Sequence, residues 1–155
     1  MQAEIGSISS GTMQPRDLIP VFADELRRLD DDGSYTYATL VAECDCLTGE
    51  DYESNDDDTT DRIGFILEEL FDALDSFCPP YVGFGSHEGD GADFGFWPSI
   101  DALEGDARYE DSVVKVNDHS EIPKGWTGYV MLVNDHGNVT LLEPVIEYRE
   151  VWAVV

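Results

Sequence analysis

"DRIGFILEELFDALDSFCPPYVGFGSHEGDGADFGFWP", residues Asp61 to Pro98, contains the change of period that decides the fold. In its first half Ile63, Ile66, Leu67, Leu70, Phe71 and Leu74 recur at helical spacing, and Glu68, Glu69, Asp72 and Asp75 fill the other face. That pattern predicts an amphipathic helix from Asp61 to Phe77. Pro79-Pro80 cannot continue it. Beyond the prolines the period drops to two, and residues 81–86 and 93–97 flank a glycine-bearing turn, which predicts a β-hairpin. With Glu88 to Ala92 as the turn, His87 faces Asp93, Ser86 faces Phe94, Gly85 faces Gly95, Phe84 faces Phe96 and Gly83 faces Trp97. One face then carries Val82, Phe84, Phe94 and Phe96 toward a core. The other carries Gly83, Gly85 and Gly95 beside Tyr81, His87, Asp93 and Trp97. Glycines weaken a strand unless something needs the room; the expected occupants are Trp97 lying over Gly83, or a closely packed helix.

Upstream, Leu18, Phe22, Leu26 and Leu29 mark a second amphipathic helix over 15–29, with Pro20 either kinking it or marking its true first turn. Asp30-Asp31-Asp32-Gly33 stops it, with Gly33 as a left-handed C-terminal residue. Residues 35–47 are ambiguous between helix and strand. The stripe of Tyr37, Leu40, Val41 and Cys44 favours helix. Residues 48–60 read as an acidic loop and 1–14 as a flexible lead-in. Downstream, 101–111 reads as a short acidic connection with about one helical turn, and 113–116, 128–134, 139–145 and 148–155 read as strands. Segments 129–133 and 139–142 are largely apolar on both faces, which predicts central strands. Asp135-His136-Gly137-Asn138 is a tight-turn sequence. These elements predict an α+β fold: N-terminal helices packed on a mostly antiparallel β-sheet formed by the C-terminal half, in a single domain over 15–155.

Charge is the outlier. Thirty-four acids and eight Lys or Arg give a formal −26 over 155 residues. Residues 1–60 carry fifteen acids and three bases, 61–111 thirteen and two, and 112–155 six and three. Between Glu43 and Asp61 there are nine acids and no base. Each acid repels phosphate, which argues against direct binding of nucleic acid or an anionic membrane. A salt-adapted proteome would also produce such acidity, but it would spread acid over the C-terminal third as well. A localised electronegative face points instead to a cationic partner.

No apolar run approaches the ~18 residues of a membrane span, and the first residues lack the basic and apolar regions of a secretory signal. Three cysteines, Cys44, Cys46 and Cys78, suit reduced thiols, so a cytoplasmic location is expected. Cys44 and Cys46 as a zinc half-site lack a second pair. An EF-hand loop with Gly33 sixth would need oxygen ligands at Arg28 and Thr39, which neither position supplies as the motif requires. The acids Asp56 to Asp58 could hold a cation only loosely. No nucleophile elbow, phosphate-binding glycine loop or basic-aromatic patch is present. Neither a metal nor a cofactor is expected.

The hairpin rim offers the one catalytic reading: an imidazole at His87 oriented by Asp93, with Asp90 near the mouth, could act as a general base. The structural reading of the same residues, as a turn and its flanks, is the stronger.

The runs "PPYVGFGSHEGDGADFGFWPS", "GYVMLVNDHGNVTLL" and "EVWAVV" resemble a recurring pattern in small acidic proteins of phages and bacteria, over about Leu67 to Val155. That resemblance implies a self-contained domain of mobile-element origin and brings no catalytic residue with it.

The expected function is a non-enzymatic inhibitor that mimics DNA and occupies the basic site of a nucleic-acid-binding protein, such as a nuclease, restriction enzyme or CRISPR effector. Glu50, Asp51, Glu53, Asp56, Asp57, Asp58, Asp61, Glu68, Glu69, Asp72 and Asp75 would substitute for phosphates. The alternatives are an acidic accessory or interaction module without mimicry, and a small enzyme using His87 and Asp93. Oligomeric state is not legible.

Overall fold

The computed structural model describes residues 2–31 and 35–145. The fold is α+β, with helices ahead of most strands. The expected left-handed Gly33 and the expected strand over 148–155 lie outside the described residues. Where a single domain was expected, the chain divides into two compact units, Met1–Ser99 and Ile100–Val155.

The first unit runs β1 (Gly6–Ser9), α1 (Pro15–Leu29), α2 (Ala38–Asp45), α3 (Gly49–Glu53), α4 (Asp57–Asp75), β2 (Val82–His87) and β3 (Asp90–Pro98). Its sheet is antiparallel in the order β1-β3-β2. Pro15 occupies the first turn of α1, where its missing N–H is harmless, and Pro20 lies within the helix on its exposed side. Across the turn after α1, the Asp30 carboxylate accepts a hydrogen bond from the Tyr37 backbone N–H at 2.9 Å. This ties the end of α1 to the start of α2 and satisfies a side chain only 9% exposed.

The core lies where α1 and α4 cover the inner face of the sheet. Leu18, Ile19, Phe22, Leu26 and Leu29 of α1 pack with Ile66, Leu70 and Leu74 of α4 and with Phe94 and Phe96 of β3. Phe22 is fully buried and meets Phe71, Phe84 and Phe94 edge-on at centroid distances of 5.5, 5.1 and 5.8 Å. Burying one such ring stabilises by about 1.5–3 kcal/mol, and the edge-on contacts add about 0.5–1.5 kcal/mol for a pair. The expected core faces of the helices and the hairpin are therefore real, and they meet.

The first unit departs from expectation in three places. The flexible lead-in contains β1, which pairs with β3, and Ala3 is buried. The strand is short and mostly polar, so it carries no alternation to read. Its trace is in β3 instead: a Cβ on Gly95 would stand 2.1 Å from the Gly6 carbonyl oxygen, so β1 occupies the room that glycine leaves. Next, the acidic loop over 48–60 is largely helical, since it holds α3 and the first turn of α4. Acids in a helix's first turn are stabilised by the exposed N–H groups there, so a run of them marks helix starts as well as it marks loops. Third, the hairpin turn is shorter than expected. Pairing follows expectation from Gly83↔Trp97 to Ser86↔Phe94, then slips so that His87 faces Asp90 instead of Asp93. A two-residue turn at Glu88-Gly89 is the favoured hairpin closure, and a bulge absorbs the extra residues.

The second unit runs α5 (Ile100–Tyr109), β4 (Val113–Val116), a 3-10 turn at His119–Glu121, β5 (Tyr129–Val133) and β6 (Val139–Leu142). The expected connection over 101–111 is thus a ten-residue helix. The strands expected to join one mostly antiparallel sheet form a separate three-stranded sheet here, β4-β5-β6, with β4 parallel to β5 and β5 antiparallel to β6. Segment 129–133 is central, with Val130 and Met131 buried, while β6 pairs only with β5 among the described residues. The turn after β5 forms as expected: Gly137 has φ +79, and its N–H donates to the Asn134 carbonyl at 2.8 Å.

Candidate acidic interface

α3 has five residues, too few to hold itself together by its own hydrogen bonds. A capping box supports it. The Asp51 carboxylate accepts from the Thr48 backbone N–H and hydroxyl, both at 2.7 Å. Those bonds hold the Asp51 carboxyl below the ordinary carboxylate range. With the folded pKa lowered, this contribution is present above the unfolded pKa and is lost as pH falls through the folded one. Asp56 is itself the N-cap of α4, accepting from the Thr59 N–H at 3.0 Å and its hydroxyl at 2.9 Å. At the other end of α4, Asp75 accepts from the Phe84 backbone N–H at 2.9 Å, satisfying a donor on the outer edge of β2. Three of the eleven expected interface acids therefore hold the fold.

The others are presented to solvent. Glu50, Asp57, Asp58, Asp61, Glu68, Glu69 and Asp72 are exposed and make no side-chain hydrogen bond or ion pair among the described residues. Glu53 is exposed and lies 3.9 Å from Arg16, a loose surface pair. On α4, Asp58, Asp61, Glu69 and Asp72 lie within about 40° of one line along the helix, since each residue turns the chain by about 100°. The structure thus brings most of the expected acids onto the solvent side of α4 and the adjoining α3.

At the middle of that line is a residue the acid count passes over. Phe65 is 64% exposed, between Asp61 one turn before it and Glu69 one turn after. Its signal was in the sequence: it falls off the apolar stripe of Ile63, Ile66 and Leu70. Apart from it, Pro15, Arg16, Asp51, Tyr52, Ile63 and Gly64 line an open groove of about 380 Å³ bounded by α1, α3 and α4. Partial burial pushes the Tyr52 phenol above its usual range.

The hairpin rim is arranged differently. His87 Nδ1 accepts from the Gly89 N–H at 3.1 Å, and Asp90 accepts from the Ala92 N–H at 3.0 Å. Asp93 accepts from the Ser7 hydroxyl of β1, and no hydrogen bond joins it to His87. The imidazole packs edge-on against Trp97, with centroids 4.7 Å apart, and the Trp97 indole N–H donates to the Gly85 carbonyl at 3.0 Å. Trp97 is therefore fastened at Gly85 and not over Gly83, whose nearest neighbour is Asp75 of α4. The expected His87–Asp93 pairing is not assembled, because the bulge separates the two.

Cys44 and Cys78 are pushed up to about 11 and about 12, in each case by burial first and by neighbouring aspartates second. Protonated thiols of that kind are poor nucleophiles and poor metal ligands. Among the described residues no three His, Cys, Asp or Glu side chains converge as a metal-binding group, and no helix is long and apolar enough to cross a membrane. No protein-family model, curated protein or solved structure matches the chain.

Proposed function

We propose that the protein is an acidic, non-enzymatic inhibitor that uses the α3–α4 face to occupy the phosphate-binding site of a nucleic-acid-binding protein. The observation that carries this reading is the set of exposed carboxylates with no hydrogen-bond or ion-pair partner among the described residues. Self-repulsion among them destabilises the compact state, so their concentration on one face calls for a cationic counterpart outside it.

Magnitudes narrow the mimicry. From Asp57 to Asp75, α4 rises about 27 Å. Its seven acids over that length, less Arg62, leave one net charge per about 4–5 Å. A duplex carries one per about 1.7 Å of axis, and a single strand one per about 3.4 Å. The face thus approximates one nucleic-acid strand better than a duplex. The C-terminal unit, with eleven acids and four bases against twenty-three and four in the first unit, is left outside this role.

The test is capture of partners from a bacterial lysate at low salt, elution by a salt gradient, and challenge of each captured protein with single-stranded DNA. Mimicry predicts release by DNA as well as by salt. Captured proteins that bind DNA and this protein together would overturn it. A fold retained at low salt would also separate this reading from salt adaptation, which requires unfolding there.

A further inference from the structure

We propose that Phe65 is a stacking platform for an arginine of a basic protein partner, held between Asp61 and Glu69. The inference rests on the electrostatic reading above for the sign of the partner, and goes beyond it in naming the side chain that the face selects. A row of carboxylates draws any cation. A ring set in that row distinguishes one kind of cation from another.

Three observations place an unused ring there. Of the seven phenylalanines, six are buried or half-buried, and Phe65 is 64% exposed. Around α4 it lies about 130° from the centre of the buried stripe of Ile63, Ile66, Leu70, Ala73 and Leu74. It falls instead at the middle of the row made by Asp58, Asp61, Glu69 and Asp72. Finally, its faces are open. Among the described residues Phe65 makes no ring contact, and the one cation seated over a ring is Arg108 over Tyr109. Arg62, one turn before Phe65, acts on the Asp51 carboxylate. Phenylalanine is also a poorer helix former than lysine, glutamate or glutamine. Neither burial nor helix propensity therefore accounts for an aromatic residue at this position.

Charge and ring chemistry together select the occupant. Side chains one turn apart on a helix stand about 5–6 Å from each other at Cβ. A cation on an aromatic face sits within about 6 Å of its centroid. Asp61, Glu68 and Glu69 are thus placed to meet a cation that rests on Phe65. An apolar side chain gains nothing from those carboxylates, and an anion is repelled. A lysine ammonium is strongly hydrated and acts as a point charge. An arginine guanidinium is planar and weakly hydrated, so it lays its face on the ring and turns its N–H edge to a carboxylate. Proteins that grip single strands use arginine in the same two ways, against phosphates and against the faces of bases. Phe65 then stands for a base where the acids stand for phosphates.

The experiment uses the full chain and two peptides of equal length and charge, one of arginine and glutamine, the other of lysine and glutamine. Binding is measured at about 0.15 M salt, where exposed charges more than about 8 Å away are screened and the local contact dominates. The wild type is expected to prefer the arginine peptide by about tenfold. Phe65→Leu keeps an apolar side chain and removes the aromatic face. It is expected to cut the preference to about twofold while leaving affinity for the lysine peptide within about twofold, with unchanged circular dichroism as the check on folding. Phe65→Trp supplies a better cation-binding ring and is expected to keep or raise the preference. A wild type without the preference, or a preference that Phe65→Leu leaves at its wild-type size, overturns the proposal. Neutralising Asp61, Glu68, Glu69 and Asp72 should weaken both peptides. If it weakens neither, the electrostatic reading fails, while the Phe65→Leu comparison still decides the arginine contact.

Discussion

The α4 face and the β2–β3 hairpin rim are both rich in acid, and both look like sites in the sequence. They differ in where their polar atoms are spent. On the rim, His87, Asp90 and Asp93 each accept a hydrogen bond from a nearby backbone or hydroxyl group. They build a turn, a bulge and a strand contact. On α4, Asp61, Glu68, Glu69 and Asp72 lie beyond the helix's first turn and accept none within the described residues. The comparison teaches that residue chemistry alone does not mark a site. Chemistry left unsatisfied by the fold is the better indicator, because a fold gains nothing from charges that only repel one another.

Substitutions can break or sharpen that contrast. The largest expected effect is on binding. Neutralising Asp61, Glu68, Glu69 and Asp72 together should weaken affinity for a captured basic partner by about a hundredfold at low salt, roughly 3 kcal/mol. Asp90→Asn with His87→Ala should change it by less than about twofold. Equal losses from the two sets would erase the distinction. Stability should respond the opposite way. Asp56→Ala removes the cap of α4 and should destabilise by about 1 kcal/mol in urea unfolding. Asp75→Ala, which orphans the Phe84 N–H at the edge of β2, should cost about 1 kcal/mol as well. Asp61→Asn and Glu69→Gln should lie within about 0.5 kcal/mol of the wild type, as surface changes do. Smallest among the helix changes that alter stability, Gly64→Ala should stabilise by up to about 1 kcal/mol, because its new methyl meets nothing. A loss of stability there would show that Gly64 is needed for packing and not for room.

How much of this was legible in the sequence follows from which forces are local. The apolar stripes of α1 and α4 and the alternation of β2 and β3 are strong periodic signals, and of the residues they nominated Phe22, Leu70 and Phe96 are fully buried while Leu67, Phe71, Val82 and Phe84 are half-buried. β1 was illegible because four residues with two serines and a glycine carry no period; only Gly95, 89 residues beyond Gly6, recorded its presence. The acidic stretch over 48–60 misled because composition favours a loop while position favours capping. Thr48 with Asp51 and Asp56 with Thr59 are three-residue spacings that in retrospect announce two helix starts. The division at Ser99 and the parallel β4–β5 pair depend on long-range pairing that no local pattern encodes. In the candidate site, the acids were legible by count, and the groove was not, since Pro15, Tyr52 and Gly64 come from three separate elements.

The central claim is that the unspent carboxylates of α4 take the place of a nucleic-acid strand on a basic protein. The most direct measurement is competition: a nucleic-acid-binding protein captured at low salt is titrated with single-stranded DNA across a salt series, for the wild type and for the variant neutralised at Asp61, Glu68, Glu69 and Asp72. The account predicts mutually exclusive binding, affinity that falls steeply as salt rises, and a shallower salt dependence with weaker competition for the neutralised variant. Simultaneous binding of DNA and this protein, or an affinity indifferent to salt and to those four charges, would contradict it.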